Sequence, residues 1–500
     1  MNTVHDEFTQ RRHTQNRYII SVIVYLALLA DNILLTVIVP ILPDFLAEIN
    51  NKTEVGVPQS VVYKNYDLHY VPNILTKHPI PGKSLINSTS KINDDKTFLT
   101  VTHSRSFDKE NFSIGLLLAM KAFVQLICNP IIGGLTTTIG FYFPICFGTC
   151  CIFISSFVFA TGQTYTTILL ARMLQGVGSS CISVCGMSLV AQLYPEEDKR
   201  SKIMGVILGS VALGVLIGYP LGGIAYDFVG KSAPFVMLCV FIAFIIALQI
   251  LHMEFNKTPD IVIEAEKPKW KFLLKNQLVM ALALGILLST SAMAILEPCL
   301  PLWLLQNLNP KKWQLGTVFI PDSIGYFIGT NFFGMIAYNF GQIKISCIAL
   351  ATVGISCLAI PIADSVYKLL LPHFCLGMSI GIIDAALVPL LASLVELKIN
   401  DDESTASGEI YISYGSVYAI QQTSVSLAYS LGPLIGGELA ETIGFPWLMR
   451  IVGLLNIAYG PSLIILYRTY HQVCLVKENQ LILSNSDEVP NYKRLYNSID

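Results

Sequence analysis

Five ionisable residues stand inside stretches that are otherwise almost wholly apolar: Asp31, Lys121, Arg172, Glu297 and Asp384. A charge at the centre of a membrane helix costs about 2.5–3.5 kcal/mol on insertion scales, so each must face a partner or a wet cavity rather than lipid. Three acids against two bases leave a formal excess of one negative charge, which suits a cationic ligand or a bound proton. A carboxylate whose surroundings change can also carry protons, because desolvation favours its neutral form and a neighbouring cation its charged form. The alternative for any one of the five is a structural ion pair or a place nearer the interface. Glu297 precedes Pro298 in Leu296-Glu-Pro-Cys-Leu-Pro-Leu-Trp303, where a helix is expected to break or kink and expose backbone carbonyls. Trp303 then either offers an aromatic face to an ammonium or anchors the chain at the interface. The eight histidines are scattered, and neither clustered His/Cys ligands nor a Ser/His/Asp set is present. No metal, cofactor or enzymatic activity is expected.

These residues need membrane helices to position them. The 500-residue chain is 53% hydrophobic and 13% charged, against about 25% charged in soluble domains. Its apolar stretches reach the roughly 20 residues needed to cross a bilayer. They are placed at 18–42, 113–134, 142–162, 166–193, 202–225 and 233–253, then at 277–304, 315–338, 343–363, 367–395, 412–438 and 446–468. The first is too long, and too interrupted by Asp31, to be a cleaved signal peptide. The expected architecture is an all-α membrane protein with a cytoplasmic N-terminus (1–17), two six-helix halves (18–253 and 277–468), a cytoplasmic linker (254–276) and a cytoplasmic tail (469–500). Arg11, Arg12 and Arg17, then Lys199, Arg200 and Lys202, then Lys257, Lys267, Lys269, Lys271 and Lys275, mark one face as cytoplasmic. The polar loop 44–110 then lies on the other face. Sequons at Asn51, Asn87 and Asn111, in or beside that loop, make it a candidate glycosylated segment. The formal charge of −2, without a basic tract, gives no sign of nucleic-acid binding. Eleven of the twelve cysteines fall in or beside the spans and none in the loop, so a disulfide framework is not expected.

The two halves repeat. Pro220-Leu-Gly-Gly-Ile-Ala-Tyr-Asp-Phe-Val-Gly230 in span five is echoed by Pro433-Leu-Ile-Gly-Gly-Glu-Leu-Ala-Glu-Thr-Ile-Gly444 in span eleven, the relation expected of duplicated transporter halves. Arg172-Met-Leu-Gln-Gly-Val-Gly-Ser-Ser180 and Gly214-Val-Leu-Ile-Gly-Tyr-Pro-Leu-Gly-Gly223 are rich in small residues that let membrane helices approach closely.

Arg172 to Ser180 resembles the span-four motif of the major facilitator superfamily, and Gly214 to Gly223 the span-five motif of its proton antiporters. Leu29-Ala-Asp-Asn-Ile-Leu-Leu-Thr-Val-Ile-Val-Pro-Ile-Leu-Pro43, Lys312-Trp-Gln-Leu-Gly316, Ile328-Gly-Thr-Asn331, Tyr414-Gly-Ser-Val-Tyr-Ala-Ile420 and Gly444-Phe-Pro-Trp-Leu-Met449 are similar to the vesicular monoamine transporters. The resemblance implies a facilitator fold of twelve spans in two pseudo-symmetric halves. It implies exchange of lumenal protons for cytosolic monoamines of the serotonin, dopamine, noradrenaline and histamine class, in synaptic or secretory vesicles. A vesicular acetylcholine or xenobiotic cation exchanger is the alternative. By the same resemblance, Asp31 meets the substrate ammonium with Asn32 beside it, and Lys121, Arg172, Glu297 and Asp384 form the charge and proton network. Tyr326 and Tyr429 line the cavity and Phe319 gates it. Glu478-Asn-Gln-Leu-Ile-Leu483, with Glu478, Ile482 and Leu483 as its anchors, resembles an acidic dileucine sorting signal for adaptors.

The chain also departs from the pattern. Gln421 and Gln422 follow Tyr-Ala-Ile where the family carries a span-eleven aspartate, so the usual partner of Lys121 is missing. Leu118 stands where an aromatic cavity residue is expected, Thr136-Thr-Thr138 replaces the polar and basic residues between spans two and three, and Asn400-Asp-Asp-Glu-Ser-Thr405 is an acidic insertion.

Overall fold

A computed structural model describes residues 2–39, 41, 115–253, 274–308, 310, 314, 317–402 and 414–484. Twelve long helices account for nearly all of them: α1 Asn2–Val37, α2 Gly115–Ile139, α3 Tyr142–Thr161, α4 Tyr165–Leu193, α5 Glu197–Val229, α6 Ala233–His252, α7 Gln277–Asn307, α8 Ile320–Phe340, α9 Gln342–Ala359, α10 Leu370–Asp402, α11 Tyr414–Ile443 and α12 Phe445–Ser484. Two short 3₁₀ turns, Ile360–Ile362 and Val366–Leu369, join α9 to α10. Helices satisfy every interior backbone donor and acceptor within the segment, which lipid requires. Where the ends need help they find it locally. Thr164 Oγ1 accepts from Thr167 N at 3.2 Å at the start of α4, and Asn276 Oδ1 from Leu278 N at 3.0 Å at the start of α7.

Ten of the twelve helices are long and apolar enough to cross a bilayer by composition alone. α8 and α11 have the length but are more polar. They carry Asp322, Asn331, Gln421 and Gln422 and face the interior, where polarity is tolerated.

The duplication read from the sequence appears in the packing. α1 packs on α5 as α7 does on α11, α3 on α4 as α9 on α10, and α3 on α6 as α9 on α12. Four glycines with positive φ fall at equivalent joints: Gly140 (77°) and Gly341 (98°) end α2 and α8, and Gly230 (118°) and Gly444 (86°) end α5 and α11. Only glycine takes that conformation freely, and the last two are the glycines that close the repeated motif.

Three sequence expectations need correction. α7 runs without a break through Pro298 and Pro301, against the break or kink expected there, because packed neighbours in a bundle can accommodate the lost hydrogen bonds. α1 begins at Asn2, well before the apolar stretch, and α12 continues to Ser484, past the expected end of the last span. Hydropathy finds the length that crosses lipid, and a helix is free to extend beyond it. Asn51, Asn87 and Asn111 lie outside the described residues, as does 254–273 of the linker.

Candidate functional site

The halves enclose a cavity of about 220 Å³, walled by α1, α2, α4 and α5 on one side and α7, α8, α10 and α11 on the other. Its placement depends on close helix contacts at the small-residue motifs. A Cβ on Gly176 of α4 would lie 2.5 Å from the Lys121 carbonyl oxygen of α2, and one on Gly214 of α5 would lie 2.7 Å from Asn32 Cβ of α1. Glycine at these points brings α1, α2, α4 and α5 near enough for their polar side chains to meet.

They meet at Asp31, which is 2% exposed. Its Oδ2 takes an ion pair from Lys121 Nζ at 3.1 Å, and its Oδ1 accepts from Ser179 Oγ at 2.6 Å and Gln175 Nε2 at 3.2 Å. Donors on both oxygens fix the carboxylate in place. Lys121, lacking a span-eleven acid, has paired with Asp31. Arg172 is fully buried but lies behind the cavity wall: it donates to Gln175 Oε1 at 2.8 Å and to the Leu35 carbonyl at 3.2 Å, with Phe159 5.7 Å below its guanidinium. Its charge reaches Asp31 through Gln175. Asn32 lines the cavity and donates to the Leu28 carbonyl at 2.8 Å.

Two phenol–carboxylate pairs complete the lining, one crossing from α5 to α7 and one within the opposite wall between α8 and α10. Tyr219 Oη donates to Glu297 Oε1 at 2.8 Å, and Tyr326 Oη to Asp384 Oδ2 at 2.8 Å. Tyr429 also lines the space, as does Leu118. Phe319 caps α8, stacked on Tyr219 at 6.2 Å and tilted against His373 at 5.9 Å, so an aromatic cluster sits beside Glu297. Gln422 makes only a weak contact, Nε2 to Met187 Sδ at 3.6 Å.

Trp303 is outside this arrangement. Six residues beyond Glu297, it is turned about 240° around the helix, and its ring packs 5.2 Å from Phe445 of α12. It therefore neither meets a ligand in the cavity nor sits as an exposed interfacial anchor. Conversely, Asp322 lines the cavity, 7% exposed, with no hydrogen-bond partner for Oδ1. It stands in the first turn of α8, where an acid is an ordinary helix-start residue, so type and spacing alone do not single it out. Glu478, Ile482 and Leu483 fall on the distal part of α12.

Residues 24–414 match the model of the Major Facilitator Superfamily. The synaptic vesicular amine transporter of Rattus norvegicus is 39% identical over 90% of this chain and 88% of its own length. The chain belongs to the vesicular amine transporter branch of the Major Facilitator Superfamily. Within that superfamily it is also 33% identical to the vesicular acetylcholine transporter of Drosophila melanogaster, over 89% of this chain and 71% of that one. Its fold matches the crystal structure of the human organic anion transporter MFSD10 with a TM-score of 0.65, at 16% identity, covering 89% of this facilitator and 99% of that chain.

Proposed function

We propose that this facilitator is a proton-coupled antiporter that loads cytosolic monoamines of the serotonin, dopamine, noradrenaline and histamine class into acidic synaptic or secretory vesicles, in exchange for lumenal protons. The observation that carries the reading is Asp31, a buried carboxylate on the cavity wall whose one cationic partner, Lys121, is a side chain that an incoming ammonium can displace. In this reading Asp31 and Asn32 hold the amine, Tyr326 and Tyr429 flank it, and Phe319 closes the aromatic end. Glu297 and Asp384 take up protons from the lumen and release them to the cytosol. Their tyrosine partners, which can donate to a carboxylate or accept from a carboxylic acid, suit both protonation states. Each unit of pH difference supplies about 1.4 kcal/mol per proton moved, so two protons per amine would concentrate the amine strongly.

The protein sits as a multi-pass chain in vesicle membranes. Its proposed orientation places both termini in the cytosol, where Glu478, Ile482 and Leu483 are available to sorting adaptors. The deciding experiment is uptake of labelled serotonin, dopamine and acetylcholine into vesicles carrying the protein, with and without bafilomycin to collapse the proton gradient. Bafilomycin-sensitive uptake of the monoamines supports the reading. Uptake of acetylcholine alone would move the protein to the cholinergic alternative, and binding without accumulation would remove the antiport.

A further inference from the structure

The cavity wall holds four carboxylates, Asp31, Glu297, Asp322 and Asp384, against one cation, Lys121. Lys121 is committed to Asp31, which has two further donors, and Glu297 and Asp384 each accept from a tyrosine. Asp384 Oδ1 lacks a partner, but its Oδ2 has Tyr326; Asp322, more than nine-tenths buried, has an unpartnered Oδ1 and no side chain donating to its carboxylate among the described residues. On its α10 side the chain keeps a glycine. A Cβ on Gly377 would meet the Asp322 backbone carbonyl first and Oδ1 at 2.7 Å, so glycine here lets α10 approach α8 closely at Asp322. A buried carboxylate without a counter-charge is expensive: Oδ1 is closed in against α10 without a donor, while the residue lines the cavity. Asp31 stands on α1 in the first half and Asp322 on α8 in the second, so the two acids belong to opposite walls of the same cavity.

We propose that Asp322 is a ligand-contacting carboxylate forming a second cation subsite, so that the cavity prefers amines carrying two separated positive charges over monocations of the same size. The proposal deepens the amine-exchange reading and rests on it: one ammonium meets Asp31 and the second reaches across to Asp322. A monoamine bound at Asp31 leaves Asp322 without a counter-ion, whereas a diamine supplies one.

The test is ligand binding to the purified full-length protein, read by competition and by thermal shift, using phenethylamine and 4-(aminomethyl)phenethylamine at neutral pH. One added charge-assisted contact corresponds to roughly tenfold in affinity, so the diamine is expected to bind about tenfold more tightly than the monoamine. Asp322→Asn should erase that preference while changing phenethylamine binding less than about twofold, and Asp322→Glu should restore it. If the Asn variant is not recovered, Asp322→Ala, which removes the unpaired oxygen altogether, makes the same comparison. An unchanged ratio of the two affinities in the Asn or Ala variant overturns the proposal. Bafilomycin-sensitive serotonin uptake by the wild type is measured in parallel. Its absence would sink the transport reading, while the affinity ratio still decides the role of Asp322.

Discussion

In the proposed exchange Asp31 and Lys121 are the pair on which a bound amine acts, an entering ammonium competing with the lysine for one carboxylate. Asp31→Asn removes the anion from a buried pair and leaves Lys121 uncompensated, a change on the order of 3–5 kcal/mol. Uptake is expected to vanish and the melting temperature to fall, both measured on protein recovered from the membrane. Wild-type uptake by this variant would refute the assignment. Lys121→Met instead removes the competitor while Ser179 and Gln175 still hold Asp31 in place. Amine binding should survive or tighten, and turnover should fall because nothing displaces the amine at release. Weakened binding would show that Lys121 orients Asp31 rather than competing for it. Gln422, where relatives are expected to carry an acid, contacts only Met187 Sδ among its described partners. Gln422→Asp adds a titratable group to the same cavity, so uptake measured across pH should gain a transition that the wild type lacks. Superimposable pH profiles would mean that α11 is not coupled to the charges on α1 and α2. Four of the cavity acids and bases were legible from the sequence because a charge inside an apolar stretch has no innocuous explanation. Asp322 was not, since its place at a helix start supplies one. Trp303 lies close to Glu297 along the sequence, but helical phase turns its ring onto Phe445 of α12.

At the scale of helices, glycines decide how near the halves come at the end of the bundle that carries both termini. A Cβ on Gly133 of α2 would lie 2.5 Å from Ala419 Cβ of α11, and one on Gly334 of α8 would lie 2.9 Å from the Ser201 carbonyl oxygen of α5. Arg200, fully buried at the start of α5, donates to Ser393 Oγ of α10 at 2.8 Å. These contacts close that end of the cavity, and passage of a ligand requires them to separate. Gly133→Leu inserts a side chain where a single methyl already clashes, so the closed packing becomes inaccessible. Net uptake should be lost while amine binding to the purified variant persists. Normal uptake would mean that this contact does not have to form during transport. The repeat motif made α5 and α11 recognisable as counterparts, and their terminal glycines have kept the same backbone role. The continuity of α7 through two prolines was not legible, because it depends on neighbouring helices that a local rule about proline does not include.

For the molecule as a whole, twelve crossings return the C-terminus to the side on which the N-terminus begins, and the lysines and arginines choose which side that is. Arg11, Arg12, Arg17, Lys199, Arg200 and Lys202 lie at that end, and the proposed orientation rests on the tendency of short loops rich in Lys and Arg to stay cytoplasmic. The short loops at the opposite end carry little beyond Lys231, Lys311, Lys312 and Lys368, and two of these have local partners: Lys231 Nζ donates to the Gly162 carbonyl at 3.1 Å, and Lys368 pairs with Asp364 at 2.7 Å. In that pair the Lys368 ammonium lowers the Asp364 carboxyl below its usual range, so the loop between α9 and α10 keeps its local charge balanced at neutral pH. The proposed orientation puts the segment between α1 and α2, with the sequons at Asn51 and Asn87, on the lumenal side, where glycans are added. Asn51→Gln and Asn87→Gln should therefore each increase gel mobility in a glycosylating cell, and enzymatic removal of N-glycans should bring the wild type and both variants to one position. Neither sequon belongs to the cavity, so amine uptake per molecule at the membrane should remain within about twofold of wild type, the margin typical of surface changes. A mobility that neither substitution nor deglycosylation alters would leave the loop unmodified and withdraw the glycan argument for this topology. Protease cleavage of the 44–110 loop in sealed, cytosol-side-out vesicles would go further and invert the topology.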